Sequence, residues 1–509
     1  MTAPTSKYDA IIIGSGQGGT PLSVSFAQAG QRTALVESTH IGGCCVNEGC
    51  TPTKTLIASG RVAYLTRRGP DYGIHLSGSK SGVNDFAVNM EKVRQRKRDI
   101  VESFSSGSEN RATKAGVDIV KGTASFLDTR KIKIKLNDGG ERVLEGEKIF
   151  INTGERPAPP KLSGLKDIDP SRVLDSTSIM ELDEVPEHLV VLGGGYVGCE
   201  FAQLFRRLGA NVTIIQRAKQ LVGREDPEIA NCLVDILKED GLIVNLNSTA
   251  TSISKSSSKG EGYFDLKFHT IAADGSSKGE KTITGTHLLA AAGRIPNTEK
   301  LDLQNAGIST TTKGYIASNE YLETNVPNIH VLGDVKGPPA FTHISYDDFR
   351  ILKHNLLTIP SFSSSSSSSS SKSQTTSIPD PTNRLSTKSR LVPYVVYTDP
   401  QLGHIGLHEH EARALFPDNK TRIKTAKMPM SYVARALETD ETRGMMKAVV
   451  DSETGLILGF TCLGVEGGEV MSIVQMAILG KVRWEVLRDA VWAHPALAES
   501  LNNLWGFLE

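Results

Sequence analysis

The chain has 509 residues, a length that accommodates three or four domains at about 150 residues each. Lys plus Arg and Asp plus Glu stand at 57 each, and the resulting zero formal charge excludes a broad electrostatic case for nucleic acid or an anionic membrane as partner. Six cysteines over this length are not a secreted disulfide framework, and no apolar run reaches the roughly 18 residues of a membrane span. The opening residues MTAPTSKYDA carry no targeting pattern, so a cytoplasmic location is expected.

Residues 8–13 read as a buried strand, followed by Gly14, Gly16 and Gly19 in the spacing GxGxxG. A helix is predicted over 20–29, stopped by Gly30, and a second strand over 33–36 ends at Glu37. The same order returns further on: strand 189–192, then Gly193, Gly195 and Gly198, helix 199–208, Gly209 as the stop, and strand 212–215. Each unit spans about thirty residues, as a dinucleotide-binding βαβ requires. The first glycine permits the tight turn, the second lets backbone N–H groups approach a pyrophosphate, and the third lets helix pack on strand. Two such units predict two dinucleotide sites.

Between them lies the segment 42–54, GGCCVNEGCTPTK. Cys45 and Cys50 are separated by four residues, and three readings compete. They are buried structural thiols, metal ligands, or a redox pair. No second ligand cluster follows at metal spacing. Five residues of ideal helix rise about 7.5 Å and turn about 140°, whereas a disulfide wants Cα atoms roughly 4.4–6.8 Å apart. A bridge therefore needs a distorted first turn, which Asn47 and Gly49 make accessible. The helix is expected to continue over 54–63, and a cysteine at its start is expected to have a lowered pKa.

The second Rossmann strand leads into Gln216 and Arg217, where an NADH site would carry an acid for the ribose 2′-OH. Gln216 is neutral, while Arg217 and Lys219 suit a 2′-phosphate, so NADPH is expected over NADH. Nine serines run from Ser363 to Ser371, inside a Ser/Thr/Pro-rich stretch expected to be a disordered surface insert. Beyond it the chain alternates short strands and helices, as an α+β domain does. His404, His408 and His410 cluster at a loop and helix start and are read as surface residues.

Taken together, GGxCVNxGCxPxK and the flanking motifs resemble the class I pyridine nucleotide–disulfide oxidoreductases, the family of glutathione reductase, dihydrolipoamide dehydrogenase and mercuric reductase. The further matches fall in family order: Thr153-Gly154, the GGGYVGCE segment 193–200, AGRIPN with Arg294, Gly333-Asp334, and HPALAE with His494 and Glu499. The resemblance implies an α/β fold with two Rossmann-type nucleotide-binding domains, for FAD and NAD(P)H, plus a C-terminal α+β dimerisation domain. The implied boundaries are 1–155 and 288–358 for FAD, 156–287 for the nicotinamide nucleotide, 359–390 for the insert, and 391–509 for the dimer interface.

Roles are implied residue by residue. Cys50 is the thiol nearest the flavin, giving a charge-transfer thiolate, and Cys45 the interchange thiol that meets substrate. Lys54 and Glu200 pair beside flavin N5, and Tyr196 covers the nicotinamide pocket. Glu37 takes the adenosine ribose and Asp334 the ribityl chain. His494, oriented by Glu499, serves the thiols of the partner subunit as acid and base, which implies a homodimer. The segments GCTPTKTLIASGRVAYLTRR and FTHISYDDFRIL are most similar to the mercuric-reductase-like branch, which also holds copper(II)-reducing flavoproteins. Soft thiolates suit such ions, so Cys45 and Cys50 would bind a substrate metal transiently, mercury(II) first and copper(II) second. Against mercury stand the tail NNLWGFLE, without a vicinal cysteine pair, and the lack of a CxxC ahead of the first strand. His494 resembles the enzymes of small-molecule disulfides, which are the alternative substrate class. Cys44 either adds a sulfur to the site or fills a position usually held by Thr or Ser.

Overall fold

The run from Tyr8 to Ile13 has almost no polar alternation, the pattern of a parallel strand covered on both faces. In the computed structural model, which describes residues 5–76, 86–272, 276–358, 384–419 and 421–509, it forms β1 (Thr5–Ile13). β1 lies between β2 (Thr33–Glu37) and the strand Glu141–Ile151, parallel to both. α1 (Gly19–Gln28) joins β1 to β2, and Gly30, at φ +80°, turns the chain out of it. The sheet continues through Asp118–Phe126 beside β2 and Ile329–Val331 beside Glu141–Ile151, and Lys131–Leu136 returns antiparallel between its neighbours. Side chains alternate along β1. Ile11 and Ile13 enter a core with Phe126 and Val331, while Ala10 and Ile12 enter another with Phe26 and Phe150. After β2 come a short helix, α2 (Gly43–Asn47), and a long one, α3 (Cys50–Arg68).

The second Rossmann unit consists of β3 (His188–Leu192), α4 (Tyr196–Leu208) and β4 (Asn211–Ile215). Its parallel sheet runs in the order Ile243–Asn245, β4, β3, His287–Ala290, Val173–Leu174. An antiparallel three-stranded sheet, Ser248–Lys255 to Ser277–Gly285, follows β4 in the chain. The C-terminal part is an antiparallel five-stranded sheet carrying the helix Gly467–Leu479, with Ile405, Met446, Phe460 and Trp505 in its core. This is the α/β and α+β architecture expected.

The chain gathers into two compact units. The first takes Met1–Pro52, Arg98–Arg156 and Arg294–Arg390, and the second takes Thr53–Lys97, Pro157–Gly293 and Leu391–Glu509. The second nucleotide-binding sheet and the C-terminal sheet thus share one unit. The serine run expected to form a disordered insert lies within 359–383, outside the described residues. Among the described residues no helix is long and apolar enough to cross a membrane.

Candidate active site

β1 and β3 each end in a glycine loop, and the two loops are built alike. Gly14 and Gly193 hold φ +102° and +108°, and a Cβ on either would stand 2.3 Å from Asn152 O or 2.6 Å from Ala291 O. A Cβ on Gly19 would meet Gly14 O at 2.1 Å, and one on Gly198 would meet Gly193 O at 2.0 Å. The third glycine is therefore what lets each helix start against its own loop. Gly195 faces open space, a cradle that a side chain would fill, and Gly16 has only the Asn152 amide nitrogen near, at 3.0 Å. Glu37, which ends β2, and Gln216, which follows β4, each reach back to their own loop. Glu37 accepts from Ser15 N at 3.0 Å and Ser15 Oγ at 2.6 Å, and Gln216 accepts from Gly194 N at 3.1 Å. One loop thus carries a buried carboxylate and the other a neutral amide, with Arg217 and Lys219 exposed just beyond it.

Three more segments of the first unit converge near that first loop. Thr153 Oγ1 donates to Asn297 O and Asn297 Nδ2 returns to Thr153 O, both at 2.8 Å, while Gly154 at φ +68° faces open space. Gly333 N donates to Asp348 Oδ2 at 2.9 Å. Burial, ahead of the Glu155 charge, pushes the Asp334 carboxyl up to about 6. A buried carboxylate of this kind is relieved by hydroxyl donors, which is what a ribityl chain offers. Arg294 is drawn elsewhere: it donates to Glu155 O at 2.8 Å and to Cys44 Sγ at 3.5 Å.

The cysteine segment resolves the helical-spacing objection by breaking the helix. α2 ends at Asn47, whose side-chain amide donates to Ile41 O at 3.1 Å and Gly43 O at 2.9 Å, and α3 begins at Cys50 itself. Gly49 sits in the break, where a Cβ would stand 2.9 Å from Cys44 O and 3.1 Å from Cys45 Cα. Cys45 and Cys50 are joined by a side-chain hydrogen bond. Cys50 Sγ also lies 3.4 Å from the hydroxyl of Thr342, the first residue of the helix Thr342–Lys353. The hydrogen bond to Cys50, with burial second, pushes the Cys45 thiol up. The lowered value expected of a cysteine here is therefore corrected for Cys45: its position inside short α2, facing a second sulfur, outweighs any helix end. Burial likewise pushes Cys44 up, against the opposing charge of Arg294.

In the second unit Lys54 Nζ pairs with Glu200 Oε2 at 2.8 Å, and Glu200 Oε1 accepts from Tyr397 N at 2.7 Å. The ammonium lies 4.9 Å from the Tyr397 ring centroid. Tyr196 opens α4, and its hydroxyl donates to Glu225 at 3.0 Å. His494 Nδ1 stands 2.9 Å from Glu499 Oε2, with the imidazole largely exposed. A carboxylate on Nδ1 fixes the tautomer and leaves Nε2 for proton exchange. Cys45 and Cys50 belong to the first unit, and the lysine, glutamates, tyrosine and histidine to the second.

Sequence reasoning missed Thr342, Tyr397 and the Arg294–Cys44 contact, because each depends on segments far apart in the chain. A hydroxyl residue opening a helix was the available signal for Thr342. His404 and His408 were read as surface residues, and both are buried; of the three histidines only His410 is exposed. His404 lies on the inner strand Gln401–Gly406, directly opposite Thr461, with which it hydrogen-bonds at 2.8 Å. With Glu225 these two histidines form a cluster of metal-ligand type. Their rings, however, stack face to face at 3.9 Å, and His404 spends its other nitrogen on Gly406 O at 3.1 Å. Parallel stacked imidazoles cannot both direct in-plane lone pairs at one ion, so the cluster is a polar core and not a metal centre.

Two dinucleotide cradles and a hydrogen-bonded thiol pair at a helix start define a flavoprotein disulfide oxidoreductase. The family model for pyridine nucleotide-disulphide oxidoreductases matches residues 8–348, its dimerisation-domain model matches 392–504, and the chain belongs to this family. Family members are FAD-dependent and use a pyridine nucleotide. The chain is 33% identical over 510 residues to the probable pyridine nucleotide-disulfide oxidoreductase RclA of Escherichia coli K12, covering 99% of this chain and 100% of that protein. It is 30% identical to a mercuric reductase of Staphylococcus aureus, over 97% of this chain and 81% of that one. A solved structure described as a Cu(II) complex of the HOCl-induced flavoprotein disulfide reductase RclA aligns with a TM-score of 0.81 and 33% identity, covering 99% of each chain.

Proposed function

We propose that this protein carries reducing equivalents from NADPH, by way of FAD, to the Cys45/Cys50 pair and on to a thiophilic metal ion, copper(II) ahead of mercury(II). The observation that carries the reading is the pair itself: two sulfurs in hydrogen-bond contact across a helix break. Gly14, Gly16, Gly19, Glu37, Thr153, Gly154, Gly333 and Asp334 would hold FAD, with Arg294 steadying the Glu155 segment beside them. Gly193, Gly195 and Gly198 would take the nicotinamide nucleotide, and Arg217 and Lys219 its 2′-phosphate. When bound, FAD supplies the two-electron relay between nicotinamide and thiols. Copper is put first because an E. coli relative aligned over nearly the whole chain is described as a Cu(II) complex.

The residues divide the work. Cys45 serves as the interchange thiol that meets substrate, and Cys50, in hydrogen-bond contact with it, as the thiol beside the flavin. Lys54 offers a positive charge held in place by Glu200, and Tyr196 covers the nicotinamide subsite. Forming the Cys45–Cys50 bond releases two electrons and two protons. The electrons convert two Cu(II) to two Cu(I), or one Hg(II) to Hg(0). NADPH restores the dithiol by giving up a hydride, with one further proton from solvent. The working form is a homodimer in the cytoplasm, with His494 and Glu499 serving the partner's thiols.

A second reading is favoured by one feature. The His494–Glu499 pair, at 2.9 Å, suits protonation of a leaving thiolate, which a small-molecule disulfide needs and a metal ion does not. An anaerobic assay separates the two. Copper(II) should accelerate NADPH consumption at least tenfold over the metal-free rate, and Cys45→Ser should abolish the gain. Turnover that ignores copper(II) and mercury(II) but responds to glutathione disulfide or lipoamide would move the assignment to disulfides.

A further inference from the structure

Glu225 lies between β4 and the helix Pro227–Glu239, and it is 3% exposed. One of its oxygens, Oε1, accepts from two phenols: Tyr196 Oη at 3.0 Å and Tyr394 Oη at 2.7 Å. The two tyrosine rings stack with centroids 5.5 Å apart. The second oxygen, Oε2, is buried with no hydrogen-bond partner. The backbone around the carboxyl is tied down, because Glu225 N donates to Val222 O at 2.8 Å and Glu225 O accepts from Gln220 at 2.9 Å. Tyr394 Oη is itself 3.3 Å from His408 Nε2. The carboxylate is thus the fixed half of a clamp, and Tyr196 is the half standing at the start of the glycine-loop helix.

We propose that Glu225 is a positioning residue that latches the Tyr196 ring over the nicotinamide subsite, with Tyr394 as the backing plate, and that protonation of its carboxyl releases the latch to admit the nucleotide. This deepens the assignment of Tyr196 as the cover of that subsite and rests on it. The reason is hydrogen-bond accounting. As a carboxylate, Oε1 receives two charge-assisted bonds. A proton placed on Oε1 turns an acceptor into a donor and displaces a phenol. A proton placed on Oε2 leaves a buried donor unsatisfied, and the neutral carboxyl is the weaker acceptor. Either outcome loosens Tyr196.

The groups facing the carboxyl are Tyr196 from α4, Tyr394 and His404 from the C-terminal sheet, His408 ahead of the helix Glu409–Leu415, and Arg224 and Asp226 beside it in the chain. Asp226 is engaged by Lys447 at 2.8 Å. Burial pushes Glu225 up to about 7, while burial pushes His404 down to about 3 and holds His408 below the ordinary imidazole value. Near neutral pH the imidazoles are uncharged and the carboxyl is the group that titrates. The latch is closed above about pH 7 and open below it.

The experiment is anaerobic stopped-flow reduction of the holoenzyme flavin by NADPH, between pH 5.5 and 8.5, in wild type, Glu225→Gln, Tyr394→Phe and Tyr196→Ala. Comparison at each pH cancels the nucleotide's own titration. Glu225→Gln should bind NADPH about fivefold more tightly than wild type at pH 8.5 and equally at pH 5.5. Tyr394→Phe should shift binding the same way, and it carries the test if Glu225→Gln does not fold. A wild-type to variant ratio that stays within twofold of one, or does not change with pH, overturns the latch. If Tyr196→Ala alters NADPH binding while the other two do not, the latch falls and the cover assignment stands. If Tyr196→Ala alters nothing, both fall.

Discussion

At the scale of single residues, protonation is decided by what stands beside each group. The Cys45 thiol is pushed up by its hydrogen bond with Cys50 first and by its own burial second. Glu225 has no such partner for its second oxygen, and burial dominates. A stability consequence follows from that shift. The carboxyl is raised from 4.5 unfolded to about 7 folded, so its contribution is fully present below about pH 4.5 and is lost as pH rises through 7. The loss approaches about 3 kcal/mol. Denaturant unfolding at several pH values should therefore find Glu225→Gln gaining on wild type by up to that amount between about pH 4.5 and 8. A difference that does not vary with pH would contradict the assignment. The same residue shows what sequence leaves unread. A Glu ahead of a Pro-initiated helix reads as a surface acid, and its burial comes from Tyr394, 169 positions away.

At the scale of elements, the break between α2 and α3 is the feature on which the thiol chemistry turns. An unbroken helix would point Cys45 and Cys50 apart, and Gly49 is what allows the chain to fold back on Cys44 and Cys45. Gly49→Ala places a methyl 2.9 Å from a backbone oxygen that cannot move aside cheaply. It should cost about 1–2 kcal/mol in stability. Misalignment of the sulfurs should slow metal-dependent turnover by about tenfold or more, with flavin content unchanged. Turnover within twofold of wild type would mean that the break tolerates a side chain. The glycine, the asparagine and the cysteine spacing were all legible in the sequence, as was the need for a distorted turn. The position of the break, and that α3 starts at Cys50 itself, were not, because the segment before it is held by distant residues: Gly43 packs on Gly16, and Gly42 N donates to Ser15 Oγ at 3.1 Å.

At the scale of the whole molecule, the His494–Glu499 pair lies in the C-terminal part, in a different unit from the sulfurs it is proposed to serve. If the partner subunit supplies it, Cys45→Ser and His494→Ala subunits should complement one another on mixing. With random reassociation half the dimers are mixed and each holds one intact site, so about a quarter of wild-type disulfide reductase activity should return. No recovery above the two parent variants would mean that each subunit is self-sufficient or that His494 is dispensable.

The glycine spacings, the paired cysteines and the order of motifs were decided locally, within stretches of about thirty residues, and such stretches determine their own βαβ geometry because turn, helix start and strand end are neighbours in the chain. The family was therefore written in the sequence. What only tertiary structure decided are the contacts that join distant segments: Thr342 on Cys50, Tyr397 on Glu200, Arg294 on Cys44, and the burial of His404, His408 and Glu225. Burial and hydrogen bonding set which of those groups carries a proton, and neither is a property of a residue type or of its neighbours along the chain.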